Sequence, residues 1–139
     1  GLSVSTNGNL MAYGEDTVSR RIYTIKVKDL TTGQLLEDTL EGTNGGVIWA
    51  NDNKTFYYIK KDAQTLLGYQ VFRHTLGTPQ SDDELIYEEA DTSYYTGISK
   101  SKDGSEIYRV PRIKDKGIHI ILVDISKKIC KIVKYESKN

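Results

Sequence analysis

A single cysteine, Cys130, in 139 residues rules out an internal disulfide and fits a reducing compartment. Set between Ile129 and Lys131 in a strand-like run, it reads as a small buried hydrophobe. Only two prolines occur, so there is no Pro-rich linker. Lys and Arg balance Asp and Glu at 19 each, which leaves no basic excess for a nucleic-acid partner. No apolar run approaches the roughly 18–20 residues of a membrane span, and no signal-peptide pattern opens the chain. Two histidines and one cysteine without compact ligand spacing argue against a metal site. Gly45-Gly46 leads into a strand with no helix behind it to cradle a phosphate, so no cofactor is expected.

What the chain does have is tyrosine, ten in all, with many Ile, Val and Thr, a composition that favours strands over helices. The clearest stretch runs from Val47 to Thr78. Over Thr55–Lys60, Phe56 and Tyr58 fall on one face, Tyr57 and Ile59 on the other. Over Tyr69–Thr75, Tyr69, Val71 and Arg73 oppose Gln70, Phe72 and His74. This period of two predicts an antiparallel pair of strands. Asn51-Asp52-Asn53 ahead of it forms a turn, because Asn and Asp side chains bond their own backbone and tolerate left-handed conformations.

Similar units flank it. Gly1–Val4, Leu10–Tyr13, Arg21–Leu30 and Gln34–Leu40 are predicted strands. The first two are joined through Asn7-Gly8, whose residues both accept the positive φ of a tight type I′ turn. Val47–Ala50 and Glu84–Glu88 complete the central unit, and Tyr94–Ser99, Glu106–Val110, Gly117–Ile125 and Cys130–Tyr135 supply a third. Turn centres at Gly8, Asn53 and Gly104 set a period of about 45–50 residues, the length of a four-stranded propeller blade. The expected fold is all-β, a partial propeller domain over 1–139. Its twelve strands make three four-stranded antiparallel blades, at roughly 1–42, 43–90 and 91–139. Propellers close at typically 4–8 blades, so an incomplete ring of three reads as a piece of a larger protein whose exposed strand edges would self-associate.

Trp49-Ala50-Asn51-Asp52, Phe56-Tyr57-Tyr58, the run from Tyr69 to Thr78 and the segment Asp83 to Glu89 resemble, in order and spacing, the oligopeptidase B (protease II) branch of the prolyl oligopeptidase family. Glu15-Asp16, Ser19-Arg20-Arg21 and Leu30-x-x-Gly33 also fit, and the likeness runs from about Ser3 to Ser101 before thinning. The resemblance implies a serine peptidase of two domains. A catalytic α/β-hydrolase domain carries a Ser-His-Asp triad, and a seven-bladed propeller covers the active site and screens out folded proteins. It further implies cleavage of short peptides after Lys or Arg and a cytoplasmic location. This chain would then supply early blades alone, with the hydrolase domain of the same polypeptide as its partner.

The residues agree that the chemistry lies elsewhere. No G-x-S-x-G elbow, the turn that exposes a hydrolase nucleophile, occurs in the chain. His74 and His119 both fall in alternating strands; His74 reads as structural, and His119 has no assigned role. Asp82-Asp83 and Glu88-Glu89 read as a solvated loop and a strand end rather than as carboxylate dyads or calcium ligands. No catalytic, metal-binding or cofactor-binding residue is assigned. Arg21 first, then Arg20, are singled out as contacts to the catalytic domain, since a guanidinium suits bidentate pairing with a carboxylate across an interface. Local pairing with Glu15, Asp16 or another surface acid is the other reading of the two arginines. Two functions stand: the non-catalytic, substrate-gating segment of a serine oligopeptidase, or a free-standing module that binds a protein partner through blade faces or strand edges.

Overall fold

The computed structural model describes residues 2–16, 19, 21–100, 117–124 and 130–132, with 123, 124 and 130–132 described as backbone alone. Its elements are β1 (Leu2–Val4), β2 (Leu10–Glu15), β3 (Tyr23–Asp29), β4 (Leu35–Trp49), β5 (Thr55–Lys61) and β6 (Gly68–Thr75). A 3-10 turn (Gln80–Asp82), β7 (Glu84–Glu88), β8 (Tyr94–Lys100), β9 (Ile118–Asp124) and β10 (Cys130–Ile132) follow. β1 to β7 form one antiparallel sheet in chain order, and β10, β9 and β8 form a second. The all-β expectation therefore holds, as an open, curled sheet of propeller-like form. The predicted strand Glu106–Val110 and the turn at Gly104 lie outside the described residues, as does the side chain of Cys130.

Two predicted strands, Gln34–Leu40 and Val47–Ala50, are one. β4 is 15 residues long, and it changes partner along its length. Its first part pairs with β3 (Ile25 opposite Leu40) and its last part with β5 (Trp49 opposite Phe56), while Thr43 lies opposite both Tyr23 and Lys60. Gly42 and Gly45 adopt φ of 73° and 85° at the crossover, a backbone that a Cβ would oppose. Their lack of side chains reads in sequence as a break; in the fold it is the bend that carries one strand between two neighbours.

β5 explains why this sheet must curl. Phe56, Tyr57, Tyr58 and Ile59 are all at most 1% exposed, although they point alternately to opposite faces. Phe56 and Tyr58 pack with Ala12, Ile25, Val27, Leu40, Val47 and Trp49, and Phe72 joins them. Tyr57 and Ile59 pack with Ala50, Val71 and Ile86, and with Ile118 and Ile120 of the second sheet. A strand can be covered on both faces only if the chain before it and the chain after it fold over opposite sides. Each such side chain contributes about 1.5–3 kcal/mol on burial, and the rings add geometry: Trp49 meets Phe56 edge-on at 5.1 Å, and Tyr58 stacks on Phe72 at 5.7 Å.

The predicted type I′ turn at Asn7-Gly8 is corrected by the structure. Ser5 N–H bonds the Leu10 carbonyl around four intervening residues, and only Gly8 has positive φ, at 79°. Asn7 instead accepts the Asn9 amide and the Ser5 hydroxyl through its side chain, the alternative that an Asn offers in a turn. The same frame recurs between Ala50 and Thr55, with Asn53 at φ 59° in the place of Gly8. The two turns touch, Asn7 N–H donating to Asn53 Oδ1 at 2.8 Å.

Candidate functional site

Arg21 sits exposed in the link between β2 and β3, in a left-handed conformation of φ 60° that is uncommon for a residue with a Cβ. Two contacts hold that backbone. Its N–H donates to Asp16 Oδ2 at 3.1 Å, and its carbonyl accepts the Lys61 ammonium, from the end of β5, at 2.7 Å. Burial, and then the nearby Arg21 guanidinium, hold Lys61 below its ordinary pKa, with Asp16 opposing. Glu15, one of the two acids expected beside Arg21, pairs with Lys26 at 3.1 Å across the β2–β3 ladder. Arg20 lies outside the described residues.

A denser polar constellation lies at the opposite end of the β5–β6 pair, where Phe56 is opposite His74. His74 is completely buried on β6. Its Nδ1 lies 2.7 Å from Asp83 Oδ1 and its Nε2 2.6 Å from Asp38 Oδ2. Asp38, on β4, also accepts the Gly77 amide at 2.9 Å, and Asp83 accepts the Tyr58 hydroxyl at 2.6 Å. Gln80 completes the surround by exchanging two 2.9 Å hydrogen bonds with the backbone of Glu41. Burial alone would pull the imidazole down; the hydrogen bonds and charges of Asp83 and Asp38 outweigh it and carry His74 above the ordinary 6.5. Burial, then the Asp83 carboxylate, drives the Tyr58 phenol upward.

His74 is structural, as its place in an alternating strand suggests, but the reading of Asp83 as part of a solvated loop is overturned. Its side chain is 0% exposed, because the segment after the 3-10 turn folds inward over Tyr58 and His74. Asp82, its neighbour, is exposed as expected. Asp38 was also missed, and here a signal existed: it shares the inward face of β4 with Leu36 and Leu40. An acid in an apolar register announces a buried partner. His119 is buried on β9 opposite Ser99, and its Nδ1 makes no hydrogen bond among the described residues. No group of three or more potential metal ligands occurs among the described residues.

This arrangement of strands has relatives. Residues 1–108 match the family model described as prolyl oligopeptidase, N-terminal beta-propeller domain. The chain belongs to that family. Within the prolyl oligopeptidase propellers, it is 48% identical over 100 residues to a dipeptidyl aminopeptidase BI of Pseudoxanthomonas mexicana, covering 72% of this chain and 14% of the relative. It is 34% identical over 124 residues to Protease 2 of Moraxella lacunata, covering 87% of this chain and 18% of that protein. Among solved structures, oligopeptidase B from Leishmania major superposes with a TM-score of 0.73 at 24% identity, over 99% of this chain and 20% of that one. The chain thus spans less than a fifth of the length of either curated relative. Arg21 and His74 present two different settings. The first is an exposed cation on a fixed backbone, the second a buried polar network.

Proposed function

We propose that the chain is a segment of the N-terminal propeller of a two-domain serine oligopeptidase, a non-catalytic part that gates access to an α/β-hydrolase domain elsewhere in the polypeptide. The family match over 1–108, in a chain without a G-x-S-x-G elbow, carries this reading. Gating is steric: a propeller excludes bulky substrates, and relative motion of the two domains admits short peptides. Peptides cut after Lys or Arg are the proposed substrates, by likeness to oligopeptidase B, and a cytoplasmic location belongs to the same proposal. Among the described residues no helix is long and apolar enough to cross a membrane.

The blades at roughly 1–42 and 43–90 are read onto β1–β3 with the first part of β4, and onto the rest of β4 with β5–β7. The change of partner along β4 supports that division. Arg21, its backbone fixed by Asp16 and Lys61, is the proposed contact to a carboxylate of the hydrolase domain, with Arg20 beside it in sequence. A double-mutant cycle in the full-length enzyme tests this, and zero coupling between Arg21 and every acid of the hydrolase domain would end it. The overall reading is tested by assaying this chain and the longer polypeptide on peptides bearing Lys or Arg. Activity is expected only in the longer one; turnover by the 139-residue chain would overturn the assignment.

A second reading, an interaction module working through sheet faces or edges, is favoured by one feature. Leu2, Val4 and Leu35 are 73%, 50% and 56% exposed.

A further inference from the structure

We infer that Asp38, His74 and Asp83 form a proton-dependent latch, which fastens β6 and the loop over residues 76–83 to β4 while the imidazole carries both ring protons and releases them when it loses one. A neutral imidazole has one donor and one acceptor, yet both ring nitrogens lie within 2.7 Å of carboxylate oxygens. With one proton gone, a nitrogen lone pair would face an ionised carboxylate whose side chain is at most 5% exposed. Burial at that depth leaves the repulsion largely unscreened by solvent.

Each carboxylate is also a branch point. Asp38 ties β4 to His74 and to the Gly77 amide just past the end of β6, and Asp83 ties His74 to Tyr58 of β5. Losing the imidazolium therefore loosens three segments together. The charged and titratable groups that face His74 are Asp38 from β4, Asp83 from the segment ahead of β7 and Tyr58 from β5. The Phe56 ring, 5.1 Å away, brings no charge. Arg73, the neighbour on β6, pairs with Glu84. The raised imidazole pKa agrees with this arrangement, in which two acids outweigh burial. Gln80 and Glu41 hold the same loop to β4 through uncharged groups, which marks the hinge about which the latch opens.

The test uses nitrogen-15 NMR of the whole 139-residue chain. At neutral pH His74 is expected to show protons on both ring nitrogens. As it titrates, the protection of the Gly77 amide against exchange should fall in the same step by about tenfold per unit of pKa displacement, while the Glu41 amide changes less. Asp38→Asn should lower the His74 titration and release Gly77 at neutral pH. A His74 that carries one ring proton at neutral pH overturns the latch, as does a Gly77 amide indifferent to the titration. Both of those readouts come from the unmutated chain, so they decide the matter even if the variant fails to fold.

Discussion

Tyr58 donates its hydroxyl to a carboxylate that has no access to water. Tyr58→Phe keeps the ring stacked on Phe72 but leaves Asp83 one donor short. Hydrogen bonds to charged groups are worth about 1.5–3 kcal/mol, so a loss of that size is expected from urea unfolding; a change within error would mean that Asp83 finds another donor. The pH dependence has two limbs. His74 is raised in the folded state, so its contribution is complete below the unfolded value near 6.5 and is lost as pH rises through the folded one. Asp52 is lowered: burial opposes the shift, but the Lys54 and Thr55 amides and the Thr55 hydroxyl outweigh it. Its contribution is present above the unfolded value of 3.8 and is lost as pH falls through the folded one. Melting temperatures across pH should therefore decline on both sides, and His74→Asn should flatten the alkaline limb. An alkaline limb unchanged in that variant would assign the effect to another group.

At the scale of elements, β2 approaches β4 backbone to backbone at Gly14 and Gly45. A Cβ placed on Gly14 would lie 2.6 Å from Gly45 Cα. No rotamer relieves that, so Gly14→Ala is expected to cost about 3 kcal/mol, the upper end for overpacking. Gly33→Ala, at φ 76° with nothing within 4 Å, should cost only the left-handed strain of about 1–2 kcal/mol. Equal costs in denaturant melts would mean that β2 and β4 can part without loss. These two glycines also mark what the sequence could and could not say. β5 and β6 were legible because alternation fixes which side chains share a face, and Phe56, Tyr58 and Phe72 do share one. The crossing of β2 over β4 was not, since glycine carries no pattern. The His74 cluster was legible only in part: the histidine's structural role followed from its strand, Asp38 was missed although its apolar register carried a signal, and Asp83 reaches His74 only through a fold-back that no local periodicity encodes. Lys61 and Arg21 meet through tertiary register for the same reason.

At the scale of the whole molecule, β1 is an uncovered apolar edge. By the recurrence of the Ser5–Leu10 turn at Ala50–Thr55, Leu2 and Val4 of β1 occupy the places that Val47 and Trp49 hold in β4. Val47 and Trp49 are 8% and 4% exposed, covered by Ala12, Ile25, Val27 and Leu40, whereas Leu2 and Val4 are 73% and 50% exposed. The same positions are thus apolar in both repeats but covered in only one. Apolar side chains on an edge strand are a template for association, and the isolated chain is expected to self-associate through β1 as its concentration rises. Val4→Lys places a charge on that half-exposed edge position, so it should shift the chain towards monomer while leaving the unfolding free energy from urea melts at low concentration within about 0.5 kcal/mol. Sedimentation velocity over a concentration series reads both proteins. A wild-type chain that stays monomeric throughout would show that the exposed face does not associate, and association unaffected by Val4→Lys would move the contact away from β1.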